Sequence, residues 1–174
     1  LPSDELRSVL IFIITYLTRQ INAGNKNLAA ERLYWYYEMF KKGFLQSGSY
    51  VELRHLKNLV SLSVQQNNFE LAKELIEEYT PKVDPQYIST ARHYNLGALY
   101  FYQSNFKDAQ FHLLQVDYVD AFHHFDSKSL LLKMYYLQEA EDALFSLTGA
   151  FTNLLRRNKT VAKPTKEQYL NFIK

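Results

Sequence analysis

Two seven-residue segments of this chain resemble each other at a separation of 37 positions, and this internal repeat constrains the fold more than any other feature. Residues 66–72 read QNNFELA and residues 103–109 read QSNFKDA. A third segment, LQEAEDA, ends at Ala143, which follows Ala109 by 34 positions. Repeats of about 20 to 50 residues are typical of arrays in which each small unit buries its apolar face against its neighbours.

The segments between these repeats carry apolar residues at helical spacing and few helix breakers. The 174 residues include 5 Gly and 4 Pro, and no stretch alternates apolar and polar residues as a strand does. We therefore predict an all-α fold without strands. The pattern predicts helices over residues 4–21, 28–45, 50–66, 69–79, 87–103, 106–116, 126–137 and 139–158. A last helix is expected to open at Thr165, where the sequence TKEQ has the spacing of a capping box.

Residues 90–123 resemble one unit of the tetratricopeptide repeat family. The pattern of that family is matched at Leu96, Gly97, Tyr100, Phe106 and Ala109. Residues 53–86 and 124–157 match it at fewer positions, with Ala72 and Ala143 in the place of Ala109. The resemblance implies an α-solenoid of antiparallel helix hairpins, wound as a right-handed superhelix.

In that arrangement one domain holds four hairpins and a final helix. The hairpins are expected at about residues 3–45, 50–80, 85–117 and 125–158, and the helix at 165–174. Because the last helical pattern runs up to Lys174, we interpret the sequence as a segment of a longer chain.

Proteins of this family bind peptides and partner surfaces in a concave groove lined by the first helix of each hairpin. The groove positions carried over to this chain include Arg19, Arg54, Lys57, Tyr94, Phe101, Tyr102, Lys128 and Tyr135. Aromatic rings provide contact area, and Arg and Lys pair with carboxylates, so this set suits an extended or acidic peptide. The resemblance therefore implies a scaffold that binds a protein or peptide, and not an enzyme.

The sequence contains no motif of the common catalytic or phosphate-binding classes. Neither GxSxG nor GxxxxGK[ST] occurs, and we predict no cofactor. The chain has no cysteine, which excludes disulfides and favours a reducing compartment, so we predict a cytoplasmic location. The longest apolar run, residues 9–14, is too short to span a bilayer.

Histidine and aspartate residues gather between residues 112 and 126. The set is His112, Asp117, Asp120, His123, His124 and Asp126. A metal site is one interpretation, but no two of these histidines have the i, i+4 spacing of helical metal ligands. We interpret them as solvated residues at a junction between hairpins and predict no metal.

Two other functions stay open. Residues 156–174 contain six Lys or Arg against one acid, Glu167, and such a basic end suits a helical domain that binds nucleic acid. The other alternative is a purely structural module that oligomerises through the terminal edges of the array. Asn158-Lys159-Thr160 is in addition a formal glycosylation sequon.

Overall fold

The computed structural model describes residues 3–174, apart from the side chain of Ser47, and confirms that the fold is all-α apart from one small β ribbon. The helices are α1 (Ser3–Asn22), α2 (Ala29–Lys41), α3 (Leu53–Gln65), α4 (Phe69–Tyr79), α5 (Ile88–Tyr102), α6 (Phe106–Leu114), α7 (Ala121–Leu137), α8 (Glu141–Arg157) and α9 (Lys163–Ile173). Short 3₁₀ turns cover Lys26–Leu28, Thr80–Lys82 and Pro85–Tyr87.

Asparagine and aspartate side chains start three of these helices. Asn68 accepts a hydrogen bond from the backbone of α4, Asn105 from that of α6, and Asp120 from that of α7. Each bond satisfies a backbone N–H that has no partner inside its own helix. These caps fix where the second helix of two pairs begins and where α7 begins.

The chain divides into two compact units, unit 1 (Leu1–Ala91) and unit 2 (Arg92–Lys174). In unit 1, α1 packs against α2, α2 against α3, and α3 against α4. In unit 2, α6 packs against α7, α7 against α8, and α8 against α9. Helices that follow one another in the sequence therefore pack side by side within each unit.

Apolar residues at spacings of three and four form the buried faces of these helices. In unit 1 the buried face of α3 includes Leu56, Leu59 and Val60, and that of α4 includes Leu75 and Ile76. Burying one such side chain contributes about 1.5–3 kcal/mol to stability.

Two apolar clusters form the core of unit 2. One joins α5, α6 and α7 around Leu113 and Leu131. The other joins α7, α8 and α9 around Phe125, Phe151 and Leu155. The last helix is thus part of the core of this unit.

The prediction that the chain has no strands is wrong at one place. Strand β1 (Gln46–Ser47) pairs antiparallel with β2 (Tyr50–Val51). Gly48 lies between them with φ 61°, a conformation that glycine adopts without the steric cost of a Cβ. The predicted helices over 28–45 and 50–66 are accordingly shorter, because the residues between them form this ribbon.

Two other helix boundaries differ from the prediction. Helix α7 begins at Ala121 instead of 126, because Asp120 caps it. Helix α9 begins at Lys163, with Pro164 in its first turn, so the capping box predicted at Thr165 does not start it. Proline fits the first turn because its missing N–H has no helical partner there.

Candidate functional site

The same backbone turn closes three helix pairs. Its central residue has a positive φ of 56° at Asn67, 60° at Ser104 and 54° at Glu139. The next residue donates its N–H to the carbonyl five positions earlier, which gives the bonds Asn68 to Ser63, Asn105 to Tyr100 and Ala140 to Tyr135. This arrangement is a common end of an α-helix. Counting residues from each of these turns therefore aligns the three helix pairs by structure instead of by sequence similarity.

That register differs by one residue from the alignment made on sequence. The fifth residue after the turn is Ala72, Ala109 and Leu144 in the three pairs. Ala72 and Ala109 are fully buried, whereas Ala143 is half-buried. Counted from the turn, Leu144 and not Ala143 is equivalent to Ala109, so the α7–α8 pair differs by one residue from the alignment made on sequence.

Gly97 allows α5 and α6 to approach closely. A Cβ at this position would lie 2.7 Å from Cγ and Cδ2 of Leu113. In the α7–α8 pair the positions equivalent to Gly97 and Leu113, counted from the turn, hold Leu132 and Thr148. The larger of the two residues is thus on the second helix of the α5–α6 pair and on the first helix of the α7–α8 pair. Leu132 and Thr148 both line the apolar cleft of unit 2.

The groove residues predicted in unit 1 lie on α1 and α3. Arg19 is exposed in the last turn of α1. Arg54 is exposed and lies 3.4 Å from the carboxylate of Glu52, while Lys57 is half-buried on α3. An exposed ion pair of this kind contributes about 0–1 kcal/mol. The structure does not gather these three cations in one pocket.

A hollow of about 370 Å³ lies elsewhere in unit 1. Its lining includes Thr18, Arg32, Tyr36, Asn58, Ser61 and Gln65. Burial lowers the pKa of the Arg32 guanidinium, whose Nε is buried and makes no hydrogen bond. The Tyr36 hydroxyl lies 2.6 Å from Nδ1 of His55, and burial lowers the pKa of this histidine. Ile14 and Leu62 also line the hollow, so its walls are both polar and apolar.

Tyr94 lies in the core, which corrects the expectation that it lines an exposed groove. Its side chain is 6% exposed and belongs to the α5–α6–α7 cluster. The ring meets that of His123 edge-on, with centroids 5.0 Å apart. Tyr102, by contrast, is half-buried and packs edge-on against Phe101. The two tyrosines predicted together therefore occupy different environments.

The two groove residues predicted on α7, Lys128 and Tyr135, are half-buried. Burial lowers the pKa of the Lys128 ammonium. Tyr135 packs against the α5–α6–α7 core, and its hydroxyl accepts a 3.1 Å hydrogen bond from Nε2 of Gln110. Counted from the turn at Glu139, the positions equivalent to Tyr94 and Phe101 are Ser129 and Tyr136, one residue beyond the predicted Lys128 and Tyr135.

An apolar cleft of about 640 Å³ opens in unit 2. Helix α7 contributes Lys133, Tyr136 and Leu137, and the other walls include Phe101, Leu144, Phe145 and Phe172. Among the residues predicted on sequence, Phe101 is one that lines it. Leu132, also on α7, lines the cleft as well.

Large apolar side chains stand exposed around this cleft. Tyr136 is 73% exposed, Phe145 71%, Leu137 59% and Phe172 44%. Contiguous apolar surface of this kind is typical of protein–protein contact sites. The volume of the cleft lies within the range of about 300–1,000 Å³ that is usual for ligand pockets.

Two cations are among the residues that line the apolar cleft. These are Lys133 and Lys174, and the Lys133 ammonium lies 5.5 Å from the ring centroid of Phe172. The nearest acids along the chain, Glu139 in the α7–α8 turn and Glu141 and Asp142 in the first turn of α8, line a separate pocket.

Histidines predicted as solvated are in part buried. His123 is 2% exposed, and its Nδ1 lies 2.8 Å from Oδ1 of Asp120, which also caps α7. His124 lies 3.1 Å from the carbonyl of Val116, and its pKa is lowered by burial. The interpretation as solvated junction residues is wrong because α7 extends back through both histidines. Within residues 3–174, no group of three or more His, Asp or Glu is arranged to hold a metal ion.

The basic end is spread along the surface, and the sequon is buried. Lys163 pairs with Glu167 at 3.8 Å, and the Lys166 ammonium donates to the carbonyl of Asn158 at 2.9 Å. Asn158 is 8% exposed, and its side chain bonds to Tyr118 and to the backbone of Val161. The amide is therefore not presented for glycosylation in the folded chain.

Sequence reasoning missed Tyr136, Leu137, Phe145 and Phe172. On sequence these side chains fit the apolar pattern of buried helix faces, whereas the structure leaves them exposed. The one available signal was the distance of these residues from the α7–α8 turn, and aligning Ala143 with Ala109 put that turn one residue out of place.

The chain matches no known family model, no curated protein and no solved structure. Within the described part of the chain, no helix combines the length and the apolar character needed to cross a membrane.

Proposed function

We propose that this protein is an interaction scaffold of the tetratricopeptide-like class, not an enzyme, and that it binds an apolar segment of a partner protein in the cleft of unit 2. In this proposal the helix pairs stack as a solenoid. The recurrence of one turn at Asn67, Ser104 and Glu139 supports it, as does the burial of Ala72 and Ala109.

The exposed apolar walls of the cleft carry the functional part of the proposal. Tyr136 and Phe145 are each more than 70% exposed, although both lie beside a cleft that a partner side chain can enter. Keeping two aromatic rings in water has no benefit for an isolated chain, and such rings are frequent anchors of protein interfaces. The aliphatic stem of Lys133 extends the same surface.

The position of the cleft agrees with the way in which hairpin repeats bind. Lys133, Tyr136 and Leu137 precede the turn at Glu139 by the same distances as Ala98, Phe101 and Tyr102 precede the turn at Ser104. In the tetratricopeptide pattern these are the positions of the first helix that face a partner. Helix α9 packs on the α7–α8 pair near Phe125 and Phe151, and residues 172–174 at its end line the cleft.

The test is a selection of binding peptides from a displayed library on the immobilised chain. Peptides that bind the wild type are then titrated against Tyr136→Ser/Phe145→Ser and against Phe111→Ser. Phe111 is a matched control because it is 58% exposed and does not line the cleft.

We expect the cleft variant to lose at least about tenfold in affinity and the control to keep it, since each buried aromatic anchor is worth about 2 kcal/mol and 1.4 kcal/mol is tenfold. Peptides that bind all three proteins equally, or a library that yields no binder, would overturn the proposal.

A further inference from the structure

We infer that the hollow of unit 1 binds a small organic acid through its carboxylate, and that Arg32 is the residue that pairs with this group. The hollow lies between α1, α2 and α3 and shares no lining residue with the cleft of unit 2. The inference therefore adds a second binding site to the proposed function and does not depend on it. It names the ligand by its chemistry, as one carboxylate on a short apolar body.

Three helices of unit 1 each present one face to the hollow. Ile14 and Thr18 lie one turn apart on α1, and Arg32 and Tyr36 lie one turn apart on α2. The lining residues of α3 are 58, 61, 62 and 65, which have the spacing of a single helix face. Side chains on helices are held more precisely than side chains on loops, so the polar groups of the hollow have defined positions.

Arg32 brings a positive charge to the hollow, and no acid neutralises it there. The side chain is half-buried, and its Nε is buried without a hydrogen bond to any residue from 3 to 174. Burial lowers the pKa of the guanidinium, and no neighbouring carboxylate opposes this effect. Among the described residues, neither Asp nor Glu lines the hollow. Because a buried charge is costly unless it is paired, an anion bound in the hollow would stabilise Arg32.

Uncharged polar side chains beside Arg32 can donate further hydrogen bonds to the same anion. The hydroxyl of Ser61 and the amide of Gln65 both line the hollow. The amide of Asn58 bonds to the hydroxyl of Tyr36, and a side-chain amide has a second N–H to donate. The hollow thus combines one full positive charge with several hydrogen-bond donors, which is what a bound anion requires.

A carboxylate suits these groups better than a phosphate does. It carries one negative charge, which a single guanidinium balances, and its two oxygens accept the forked N–H groups of arginine. A phosphate monoester carries about 1.5–2 negative charges at neutral pH. Arg32 is the one cation among the described residues that line the hollow, so a phosphate would keep an unbalanced charge.

The remaining walls and the size of the hollow suit a short apolar body on the acid. Ile14 and Leu62 contribute apolar side chains next to the polar groups. The volume of about 370 Å³ lies near the lower end of the range usual for pockets that bind small molecules. We therefore expect a small monocarboxylic acid, for which hexanoate and benzoate serve as aliphatic and aromatic probes.

The first experiment follows the Nε–H signal of Arg32 by nitrogen-15 NMR while the full chain is titrated with hexanoate or with benzoate. The signal is assigned by its loss from the spectrum of Arg32→Lys. We expect at least one of the two acids to shift it in a saturable way, because pairing with a carboxylate changes the surroundings of the whole guanidinium. The uncharged analogues hexan-1-ol and benzyl alcohol are expected to leave the signal in place.

The second experiment measures the affinity of the same acids by calorimetry. Arg32→Gln is expected to weaken binding at least about tenfold and Arg32→Lys at least about threefold, since lysine keeps the charge but not the forked donors. Arg19→Gln is the matched control, because Arg19 is exposed in the last turn of α1 and does not line the hollow. Circular dichroism checks that the variants fold, and if an Arg32 variant does not, the titration of the wild type decides.

The inference is overturned if neither acid shifts the Arg32 signal, or if both acids bind Arg32→Gln as tightly as Arg19→Gln. A shift produced by inorganic phosphate but by neither acid overturns it too, as does a shift seen only with a peptide that ends in a free carboxylate. The cleft of unit 2 is tested separately through Tyr136 and Phe145. Failure of one site in its own experiment therefore leaves the result for the other unchanged.

Discussion

The hydroxyl of Tyr169 on α9 donates a 2.6 Å hydrogen bond to Oδ1 of Asp126 on α7. The ring of Tyr169 also meets Phe125 and Phe151 edge-on, with centroids 5.5 and 6.0 Å away. Burial and the neighbouring carboxylate of Asp126 raise the pKa of this tyrosine, so the hydroxyl keeps its proton and acts as the donor. This contact ties the last helix to the core of unit 2.

Replacing Tyr169 by Phe is predicted to destabilise the chain by about 1–3 kcal/mol. The substitution keeps the ring and removes only the donor to a charged acceptor, and bonds of that kind contribute about 1.5–3 kcal/mol. Urea unfolding followed by circular dichroism measures the effect. Tyr136→Phe removes a hydroxyl from a side chain that is 73% exposed and is expected to change stability by less than about 0.5 kcal/mol. Equal effects of the two changes would contradict the role of the Tyr169–Asp126 bond.

Replacing Gly97 by Ala is predicted to cost about 1–2 kcal/mol, although alanine is the better helix former. The added methyl group would lie 2.7 Å from the side chain of Leu113, which is fully buried, so the substitution overpacks the core. Gly149→Ala is the control, since nothing lies within 4 Å of its Cβ position, and it is expected to gain about 0.5–1 kcal/mol.

The assignment of the Gly97 effect to Leu113 is tested by a double variant. Leu113→Ala removes the atoms that the new methyl would meet, so Gly97→Ala is expected to be neutral or stabilising in that background. Chemical denaturation of the four proteins of the cycle gives the coupling between the two positions. A destabilisation by Gly97→Ala that is unchanged in the Leu113→Ala background would show that the crowding lies elsewhere.

The all-α fold and the places where helix pairs turn were predictable from the sequence because their determinants are local. The segments QNNFELA and QSNFKDA each contain an asparagine that caps the second helix, at Asn68 and Asn105. Helical spacing of apolar residues and the scarcity of proline and glycine then leave few alternatives.

The register of the last pair could not be predicted, because its turn carries no sequence signal. Glu139 adopts a positive φ of 54° that is uncommon outside glycine and asparagine, and Ala140 caps α8 without a side-chain hydrogen bond. Sequence similarity instead favoured Ala143 as the equivalent of Ala109, and that alignment selected Tyr135 and not Tyr136 as a groove residue. The difference of one residue matters because the ring of Tyr136 is exposed, whereas that of Tyr135 packs on the core.

The environment of Tyr94 depends on tertiary contacts that no local pattern encodes. Tyr94 and Tyr102 are both aromatic residues on α5, and a helical repeat places both on a face that a partner can reach. His123 covers Tyr94 only because α7 extends back to Ala121 and packs on α5, whereas Tyr102 has no such cover.

Stability is predicted to fall as the pH drops from about 7.5 to 5.5. Burial lowers the pKa of His55, His93, His112 and His124 below the ordinary value of 6.5. Between the lowered pKa and 6.5 the unfolded chain binds more protons than the folded chain, so the stabilisation is present above 6.5 and is lost as pH falls through the folded pKa. Unfolding free energies at the two pH values measure this loss.

The pair formed by His93 and His112 is predicted to account for part of that loss. Their Nδ1 atoms lie 3.0 Å apart, so one ring donates to the other only while at least one of them is neutral. Asp117 faces His93, and Asp108 and Arg92 face His112. His112→Asn is expected to reduce the pH dependence between 7.5 and 5.5, and NMR titration of His93 is expected to show its pKa rising in that variant. An unchanged dependence together with an unchanged His93 titration would exclude the pair as a contributor.

Replacing Asn158 by Ala is predicted to destabilise the chain by about 1–3 kcal/mol and to loosen α9. Oδ1 of Asn158 accepts bonds from the N–H groups of Thr160 at 3.1 Å and Val161 at 2.8 Å, and so holds the connection between α8 and α9. Alanine leaves these partly buried donors unsatisfied. Asn158→Asp keeps the accepting oxygen and is expected to lose less, while Asn153→Ala, at an exposed position on α8, is expected to change stability by less than about 0.5 kcal/mol. Thermal unfolding ranks the three variants, and hydrogen exchange of the α9 amides reports its docking; exchange as slow in Asn158→Ala as in the wild type would show that Tyr169 and its neighbours hold α9 without this turn.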